Sequence, residues 1–229
     1  MAALARRYRL PPAAARRLEL LLDGLAAEPD PPTTVSEPKR AVETHLADSL
    51  SGLEIDRLRS APRIVDLGAG AGFPGLPLAV ALPNARVDLV EAGRRKCEVI
   101  ERLGGAAEAA NARVVTTRVE IWALGEGAAA YAAATARALA PLSVLCEYAA
   151  PLLEPGGALV CWKGARDAEE ESAGAAAASQ LGLRPAEVRR VEPFPGARSR
   201  HLHVFVKAGP TPARFPRRPG IAAKRPLAR

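Results

Sequence analysis

The sequence predicts an α/β fold, and three features of one central stretch predict it. A short apolar strand at residues 64–67 leads into a glycine-rich turn at 68–72. An apolar helix follows at 76–82, and a second strand at 87–90 ends in Glu91. Such a strand–turn–helix–strand unit, about thirty residues long, is the half-fold of nucleotide-binding sheets, which bind ligands beyond the carboxyl ends of their strands.

The glycine-rich turn is compatible with two classes of cofactor. Gly70, Gly72 and Gly75 match the pattern of dinucleotide-binding folds, but the first of them is not the glycine that ends the strand. Pro74 and Pro77 crowd the helix start, where a pyrophosphate needs free backbone N–H groups. S-Adenosylmethionine has no phosphate, so the turn favours this methyl donor over a nicotinamide dinucleotide. A turn that binds no ligand is the remaining alternative.

Charged residues at the strand ends indicate how such a cofactor is held. Glu91 can accept hydrogen bonds from both ribose hydroxyls of a nucleoside, and Asp66 should lie at the rim of the same pocket. The segment 118–120 follows a third predicted strand, at 113–117, where an adenine can lie. A solvated pair of Arg118 and Glu120 is the alternative.

Arg137 follows a fourth predicted strand, at 131–136, beside the place that the transferable methyl group takes in such a sheet. A guanidinium there can hold a carboxylate or a phosphate through two parallel hydrogen bonds. The alternative is an exposed residue at the start of a helix.

Two helices are predicted before the central stretch. Prolines at 11–12 can open the first helix, and those at 29–32 end it; a second helix is expected at 38–51. The residues expected to face inward are Leu18, Leu21, Leu22, Leu25, Val42, Leu46, Leu50 and Leu53. His45, Asp48 and Ser49 share one face of the second helix, but a hydrolytic triad draws its members from separate elements, so we interpret this cluster as structural.

The remainder alternates between helices and strands. Helices are expected at 94–103, capped by the glycines at 104–105, at 142–152 and at 166–181. Strands are expected at 158–162, after a turn at 155–157, at 188–191 and at 201–207, where the alternating pattern is typical of an edge hairpin. We divide the chain into a helical extension (1–60), an α/β domain (61–207) and a tail (208–229).

Positive charge is concentrated at the two ends of the chain. The net charge of the 229 residues is +7, but residues 1–17 hold five arginines and the tail holds six basic residues, which leaves −4 between them. This pattern is typical of a protein that binds a polyanion, although basic ends can also serve solubility. Five prolines in the tail predict an extended arm that lies along the body and forms no helix, with Phe215 available to stack or to anchor it.

Several other classes of protein are not indicated. Cys97, Cys146 and Cys161 form no C-x-x-C pair, so we expect neither disulfides nor a metal site. The sequence contains neither an apolar run long enough for a membrane span nor the apolar segment of a secretory signal. We therefore expect a cytoplasmic protein that does not bind a membrane.

Six motifs are more specific than the glycine turn, and they follow one another over residues 33–227. They are Thr44-His-Leu-Ala-Asp-Ser-Leu50, Val65-Asp-Leu-Gly-Ala-Gly-Ala-Gly-Phe-Pro-Gly-Leu-Pro-Leu78, Thr135-Ala-Arg-Ala-Leu-Ala-Pro-Leu-Ser-Val-Leu145, Trp162-Lys-Gly164, Arg200-His-Leu202 and Thr211-Pro-Ala-Arg-Phe-Pro-Arg-Arg-Pro-Gly220. Together they resemble the bacterial 16S rRNA guanine-N7 methyltransferases of the glucose-inhibited division protein B family.

The resemblance implies a Rossmann-like class I methyltransferase with a seven-stranded, mostly parallel sheet and S-adenosylmethionine as donor. It implies a guanine of the decoding-region hairpin as acceptor, within the small ribosomal subunit or its precursor, and a monomeric enzyme. The implied cofactor residues are Gly68, Gly70, Phe73, Glu91, Ala92, Gly93, Val119, Glu120 and Arg137. The implied RNA contacts are His45, Lys163, Arg200, Arg214, Arg217 and Arg218.

The implied chemistry needs no general base, because N7 of guanine has a lone pair and no proton. Catalysis then depends on proximity and in-line alignment, with Arg137 as a positioning group. The alternatives are a methyltransferase of the same fold acting on another RNA, a protein or a small molecule, an oxidoreductase that uses a nicotinamide cofactor, and a non-enzymatic RNA-binding module.

Overall fold

A single sheet of seven strands organises the part of the chain that the computed structural model describes, residues 1–33, 35 and 38–228. The strands are β1 Arg63–Leu67, β2 Arg86–Glu91, β3 Ala112–Thr116, β4 Tyr131–Arg137, β5 Leu153–Lys163, β6 Leu183–Val191 and β7 Arg200–Lys207. Their order is β3-β2-β1-β4-β5-β7-β6. The order reverses between β1 and β4, which places a ligand crevice beyond the carboxyl ends of these two strands.

Strands β1 to β5 pair in parallel, and only β7 runs antiparallel to its neighbours β5 and β6. This mostly parallel seven-stranded sheet confirms the predicted fold class. The predicted edge hairpin is confirmed, because β7 pairs antiparallel with β6, and β6 is the edge strand. His203, at a polar position of the alternating pattern, is nevertheless buried, and its Nε2 lies 3.1 Å from Glu171 Oε1.

Helices cover both faces of the sheet. They are α1 Ala2–Tyr8, α2 Ala14–Ala27, α3 Pro38–Ala41, α4 Asp48–Leu50, α5 Asp56–Arg59, α6 Gly75–Ala81, α7 Arg94–Ala106, α8 Val119–Trp122, α9 Leu142–Ala149, α10 Ala168–Gln180 and α11 Ile221–Lys224. A π-helical segment, Val42–Ala47, joins α3 to α4, and a 3₁₀ turn, Ser51–Glu54, follows α4. In the described part of the chain, no helix combines the length and the apolar character needed to cross a membrane.

The helical extension is part of the main core rather than an appendage. Leu18, Leu21 and Leu25 are buried as predicted, in the same cluster as Ile64 and Val87 of the sheet. Its residues therefore form one wall of the α/β unit. Val42 and Leu22, which were also predicted to face inward, are only half-buried. Val42 lies at the start of the π-helical segment, and Leu22 packs against the edge of the core cluster.

Several predicted boundaries differ from the structure, three of them for identifiable local reasons. The glycines at 104–105 lie inside α7 instead of capping it, and residues 155–157 belong to β5. The tail contains α11, because residues 221–224 include no proline and can form one helical turn. Phe215 is buried, at 7% exposure, so the tail lies along the body as predicted and this ring anchors it.

Candidate active site

A cavity of about 440 Å³ opens where the first four strands end. We call it the cofactor cavity, and its volume lies within the range of small-molecule sites. Eight of the nine predicted cofactor residues line it: Gly68, Gly70, Phe73, Glu91, Ala92, Val119, Glu120 and Arg137. Lys96, Thr117 and Tyr148 also line the cavity. They were not predicted as site residues, because no sequence motif shows which residues of other elements lie beside the end of a given strand.

Glu91 is held in place by the glycine turn and by the next helix. Its Oε2 accepts from Gly70 N (3.1 Å), and its Oε1 accepts from Gly93 N (2.7 Å). Gly93 thus acts through Glu91 and does not line the cavity itself. An ionised carboxylate has about four acceptor sites, so two remain for a diol.

The glycine turn leaves space for a ligand. Gly68 and Gly70 have φ values of +60° and +61°, which side chains rarely adopt. A Cβ on Gly68 would lie 2.5 Å from Leu139 Cδ1, whereas a Cβ on Gly70 would meet only Gly68 O, at 3.8 Å. This open backbone beside a carboxylate with spare acceptor sites fits the ribose and methionine parts of S-adenosylmethionine.

The sequence predicted Asp66 at the rim of the pocket, and this prediction was wrong, because Asp66 lies behind the cavity. It is fully buried and accepts from Gly75 N (2.9 Å) and from Thr135 Oγ1 (2.8 Å). Burial raises the pKa of this carboxyl to about 7, although both hydrogen bonds oppose that shift. Its role is to fix the start of α6 against β1 and β4.

Glu120 is buried, so the alternative of a solvated pair with Arg118 was wrong for this residue. It is 5% exposed and lies in the first turn of α8, and its Oε1 accepts from Gly220 N (2.8 Å) in the tail. Arg118 is exposed beside it and also lines the cavity.

Arg137 connects the end of β4 to the helical extension. Its Nη1 donates to Thr44 O (2.6 Å) and to Asp48 Oδ2 (3.1 Å), and its guanidinium carbon lies 5.9 Å from the centre of the Phe73 ring. It is therefore a largely buried strand residue and not an exposed helix start. Ala138 after it has a φ of +53°, a strained conformation without glycine of the kind that often accompanies functional sites.

A second cavity, also of about 440 Å³, adjoins the first and is called the neighbouring cavity. Residues that line both cavities are Thr33, His45, Arg137 and Ala138. Asp48, Trp162, Lys163 and Arg200 line the neighbouring cavity alone. Arg137 thus stands at the boundary between the two spaces.

Asp48 has unused acceptor capacity in this cavity. Its Oδ1 accepts no hydrogen bond from any described residue and lies 3.8 Å from Arg200 Nε. Trp162 forms a wall, with its Nε1 donating to Asp48 O (2.8 Å). A flat wall beside an available carboxylate oxygen suits a flat ring that carries N–H donors.

His45 forms the wall between the two cavities, where its ring is buried. Its ring stacks on Phe73 with the centroids 4.6 Å apart, and its Nε2 lies 3.1 Å from Thr33 Oγ1. Burial, with a smaller contribution from Arg137, lowers the pKa of His45 to about 4. The neutral ring cannot pair with a phosphate. Ser49, its neighbour on the helix, donates to the carbonyl oxygen of His45, which agrees with a structural cluster.

The buried imidazole should make stability depend on pH. The unfolded chain binds a proton at His45 near pH 6.5, whereas the folded chain does so only near pH 4. The free energy of unfolding should therefore fall as the pH is lowered through this window, by up to about 1.4 kcal/mol per pH unit from this group. Denaturant unfolding at pH 7 and pH 4.5 should show a smaller loss for His45→Gln than for wild type.

His201→Gln is the control for that measurement, since it removes an imidazole that is only half-buried. The pKa of Asp66 is raised on folding, so this group increases the free energy of unfolding as the pH is lowered through the same range. That contribution is the same in wild type and in both variants. Equal losses for wild type and His45→Gln would contradict the expectation.

The other predicted RNA contacts differ in how far their charges are already paired. Lys163 binds Glu170 (2.6 Å), and Arg217 binds the buried Glu147 through two hydrogen bonds. Arg214 and Arg218 are exposed in the tail, and Arg200 is half-buried at the mouth of the neighbouring cavity. Arg217 therefore holds the tail to the body.

Comparison with known proteins identifies the family. The chain matches the family model for rRNA small subunit methyltransferase G over residues 32–202. The ribosomal RNA small subunit methyltransferase G of Chloroflexus aggregans is 42% identical over 200 residues, which cover 85% of this chain and 82% of that protein. The chain belongs to the rRNA small subunit methyltransferase G family. The methyltransferase G of Rubrobacter xylanophilus is 40% identical over 197 residues, covering 83% of this chain and 75% of that protein.

Solved structures agree with a methyltransferase fold. A predicted O-methyltransferase of Agrobacterium tumefaciens has a TM-score of 0.55 at 25% identity and covers 72% of this chain and 80% of its own. The fibrillarin pre-rRNA processing protein of Methanococcus jannaschii has a TM-score of 0.54 at 19% identity, with 71% and 74% covered, which shows the fold alone. This member of the methyltransferase G family is therefore an S-adenosylmethionine-dependent class I methyltransferase, as the sequence predicted.

Proposed function

We propose that this enzyme methylates N7 of one guanine in the decoding-region hairpin of 16S ribosomal RNA. The observation that carries the proposal is the pair of adjoining cavities that share Arg137, one suited to the methyl donor and one to a flat base. Membership of the methyltransferase G family supports an acceptor in the small-subunit RNA. We further propose that the enzyme acts as a monomer in the cytoplasm, on the small subunit or its precursor.

In the cofactor cavity, Glu91 would accept hydrogen bonds from the ribose hydroxyls, and Glu120 would lie on the adenine side. Gly68 and Gly70 would allow the methionine end to lie against the backbone. S-Adenosylmethionine, when bound, supplies an electrophilic methyl group on a positively charged sulfur. Phe73 and His45 would exclude water from the side that faces the neighbouring cavity.

In the neighbouring cavity, the target guanine would lie against Trp162 after it leaves its stack in the RNA. Asp48 Oδ1 can accept hydrogen bonds from N1–H and the amino group of guanine, which adenine cannot supply in the same pattern. Arg200 lies close to this oxygen and would have to make room for the base. The carboxylate would thus read the base edge opposite N7.

The chain's own residues would act by alignment and electrostatics. The N7 lone pair forms the new bond to carbon while the carbon–sulfur bond breaks, and no proton moves. A neutral His45 is consistent with this lack of acid–base chemistry. Positive charge develops on the base, where the fixed Asp48 carboxylate would stabilise it. Arg137 would hold Asp48 in place and direct its remaining donors to the donor's carboxylate or to an RNA phosphate.

The exposed tail arginines would contact RNA phosphates. Replacing Arg214 and Arg218 together by alanine should reduce the log–log salt slope of RNA affinity by about 1.4, since each single-strand contact contributes about 0.7. Titration of a hairpin RNA at several salt concentrations measures the slope. Point variants are preferable to deletion of residues 210–229, because Phe215 and Arg217 pack against the body.

Arg57→Ala is the matched control for charge in that titration. Arg57 is exposed and donates to Gly156 O, near the start of β5 and away from both cavities. Its slope should equal that of wild type. A double tail variant with the wild-type slope would remove these arginines from the RNA-binding surface.

The decisive test of function is transfer of labelled methyl groups to small ribosomal subunits that lack the modification, followed by mapping of the modified nucleotide. We expect one labelled guanine, modified at N7, in the decoding-region hairpin. Unlabelled RNA despite measured cofactor binding would overturn the acceptor. Parallel reactions with protein-free 16S RNA determine whether the particle is required.

A further inference from the structure

The tail reaches the cofactor cavity and contacts one of its walls. Gly220 N donates to Glu120 Oε1 (2.8 Å), and Glu120 is a buried residue that lines the cavity. The two residues are 100 positions apart. The hydrogen bond fixes the orientation of the carboxylate and leaves the lone pairs of its other oxygen available.

A second contact anchors the same segment a few residues earlier. Arg217 Nε and Nη2 donate to the two carboxylate oxygens of Glu147, at 2.7 and 2.5 Å. The Glu147 side chain is almost fully buried, and Arg217 Nη2 also donates to Arg225 O (2.9 Å). A two-bond pair with a buried carboxylate has a fixed geometry. Phe215, buried in the core, completes the anchor.

The two contacts join elements that follow different strands. Glu120 lies in α8 after β3, whereas Glu147 lies in α9 after β4. Tyr148, next to Glu147, lines the cofactor cavity between them. Burial raises the pKa of Tyr148, and the charges of Glu120 and Glu147 add to the rise, which agrees with its place between the two carboxylates.

We propose that residues 215–220, here called the tail clasp, position Glu120 and Tyr148 and thereby set the affinity for S-adenosylmethionine. The clasp holds both walls before the cofactor arrives, so less conformational freedom is lost on binding. This inference rests on the cofactor occupying the cofactor cavity, and it does not depend on which RNA is methylated. In it, the charge of Arg217 anchors the tail through Glu147 and is not a phosphate contact.

A glycine-to-alanine pair tests the clasp without a steric clash. Gly220 has a φ of +82° and Gly196 a φ of +81°, and a Cβ on either would meet no atom within 4 Å. Each alanine therefore adds the same backbone strain, but only Gly220→Ala displaces the donor to Glu120. Calorimetry with S-adenosylhomocysteine, in the absence of RNA, should give a Kd raised about five- to tenfold for Gly220→Ala and unchanged for Gly196→Ala.

Hydrogen exchange of the wild-type protein provides a second measurement that needs no variant. Since coupling between two sites is reciprocal, S-adenosylhomocysteine should slow exchange in the tail peptide that contains Gly220. Unchanged exchange there, or equal affinities of the two alanine variants, would overturn the clasp. If the clasp fails in this way, the Kd of Glu91→Gln shows whether the cofactor site fails with it. Weak binding of S-adenosylhomocysteine by Glu91→Gln would leave the cofactor cavity in place and overturn the clasp alone. Binding like that of wild type would overturn the cavity assignment as well.

Discussion

Replacing Arg137 by alanine is expected to lower methyl transfer by roughly two to three orders of magnitude in a protein that still folds. The substitution removes the donors to Thr44 O and Asp48 Oδ2, so the wall between the two cavities loses its fixed position. Among the described residues, it also leaves the buried Asp48 carboxylate with Arg200, 3.8 Å away, as its one remaining charged partner. Single-turnover transfer to small ribosomal subunits, at saturating S-adenosylmethionine, measures the loss.

Arg63→Ala is the matched control for the alignment role of Arg137. Both arginines lie in strands and pack near an aromatic ring, but Arg63 is at the amino end of β1 and contacts Tyr131, far from the strand ends that form the site. Each variant should lose stability, whereas only Arg137→Ala should lose transfer per folded molecule. Arg137→Lys should recover little, because a lysine cannot reproduce the guanidinium geometry. Near-normal transfer by Arg137→Ala would remove this residue from the site.

Glu91→Gln should weaken cofactor binding by roughly 30- to 100-fold, with little change in the rate of transfer at saturation. Glu91 uses two lone pairs on Gly70 N and Gly93 N, and the proposed diol contact needs the others. An amide nitrogen would face either a backbone N–H or a ribose hydroxyl that needs an acceptor. Each hydrogen bond to a charged group is worth about 1.5–3 kcal/mol, which corresponds to roughly 10- to 150-fold in Kd and brackets this expectation.

Calorimetry with S-adenosylhomocysteine separates this effect on binding from an effect on transfer. Glu98→Gln is the control, since Glu98 is exposed on α7 and pairs only with the exposed Arg94 among the described residues. Its Kd should equal that of wild type. A wild-type Kd for Glu91→Gln would place the ribose elsewhere.

The sequence predicted the cofactor cavity well because its determinants are local. The turn at Gly68 and Gly70 and the carboxylate of Glu91 belong to one strand–turn–helix–strand unit, in which chain connectivity alone brings the groups together. Arg137 was also predicted near the site, since the ends of neighbouring parallel strands lie at one edge of the sheet. The contact of Glu120 with the tail could not be predicted, because its partner is a backbone N–H 100 residues away.

Charge was the least reliable guide, because composition does not show which charges are paired inside the fold. Arg217 and Lys163 were predicted as RNA contacts, yet each forms an ion pair with a glutamate. His45 was expected at the RNA surface but lies inside a wall. Three of the predicted RNA contacts, His45, Lys163 and Arg200, line the neighbouring cavity. The cavity itself was not predicted for a different reason, because its residues are spread over more than 150 positions, from Thr33 to Arg200.

The path of the tail also determines when this enzyme becomes competent during its own synthesis. During translation, the amino-terminal leucines are synthesised before β1 and β2, so they cannot be buried until the sheet has formed. The contact of Gly220 with Glu120 can form only after every strand of the sheet has been synthesised. A chain released early would carry every strand and the whole glycine turn, but it would lack the final fastening of its own active site.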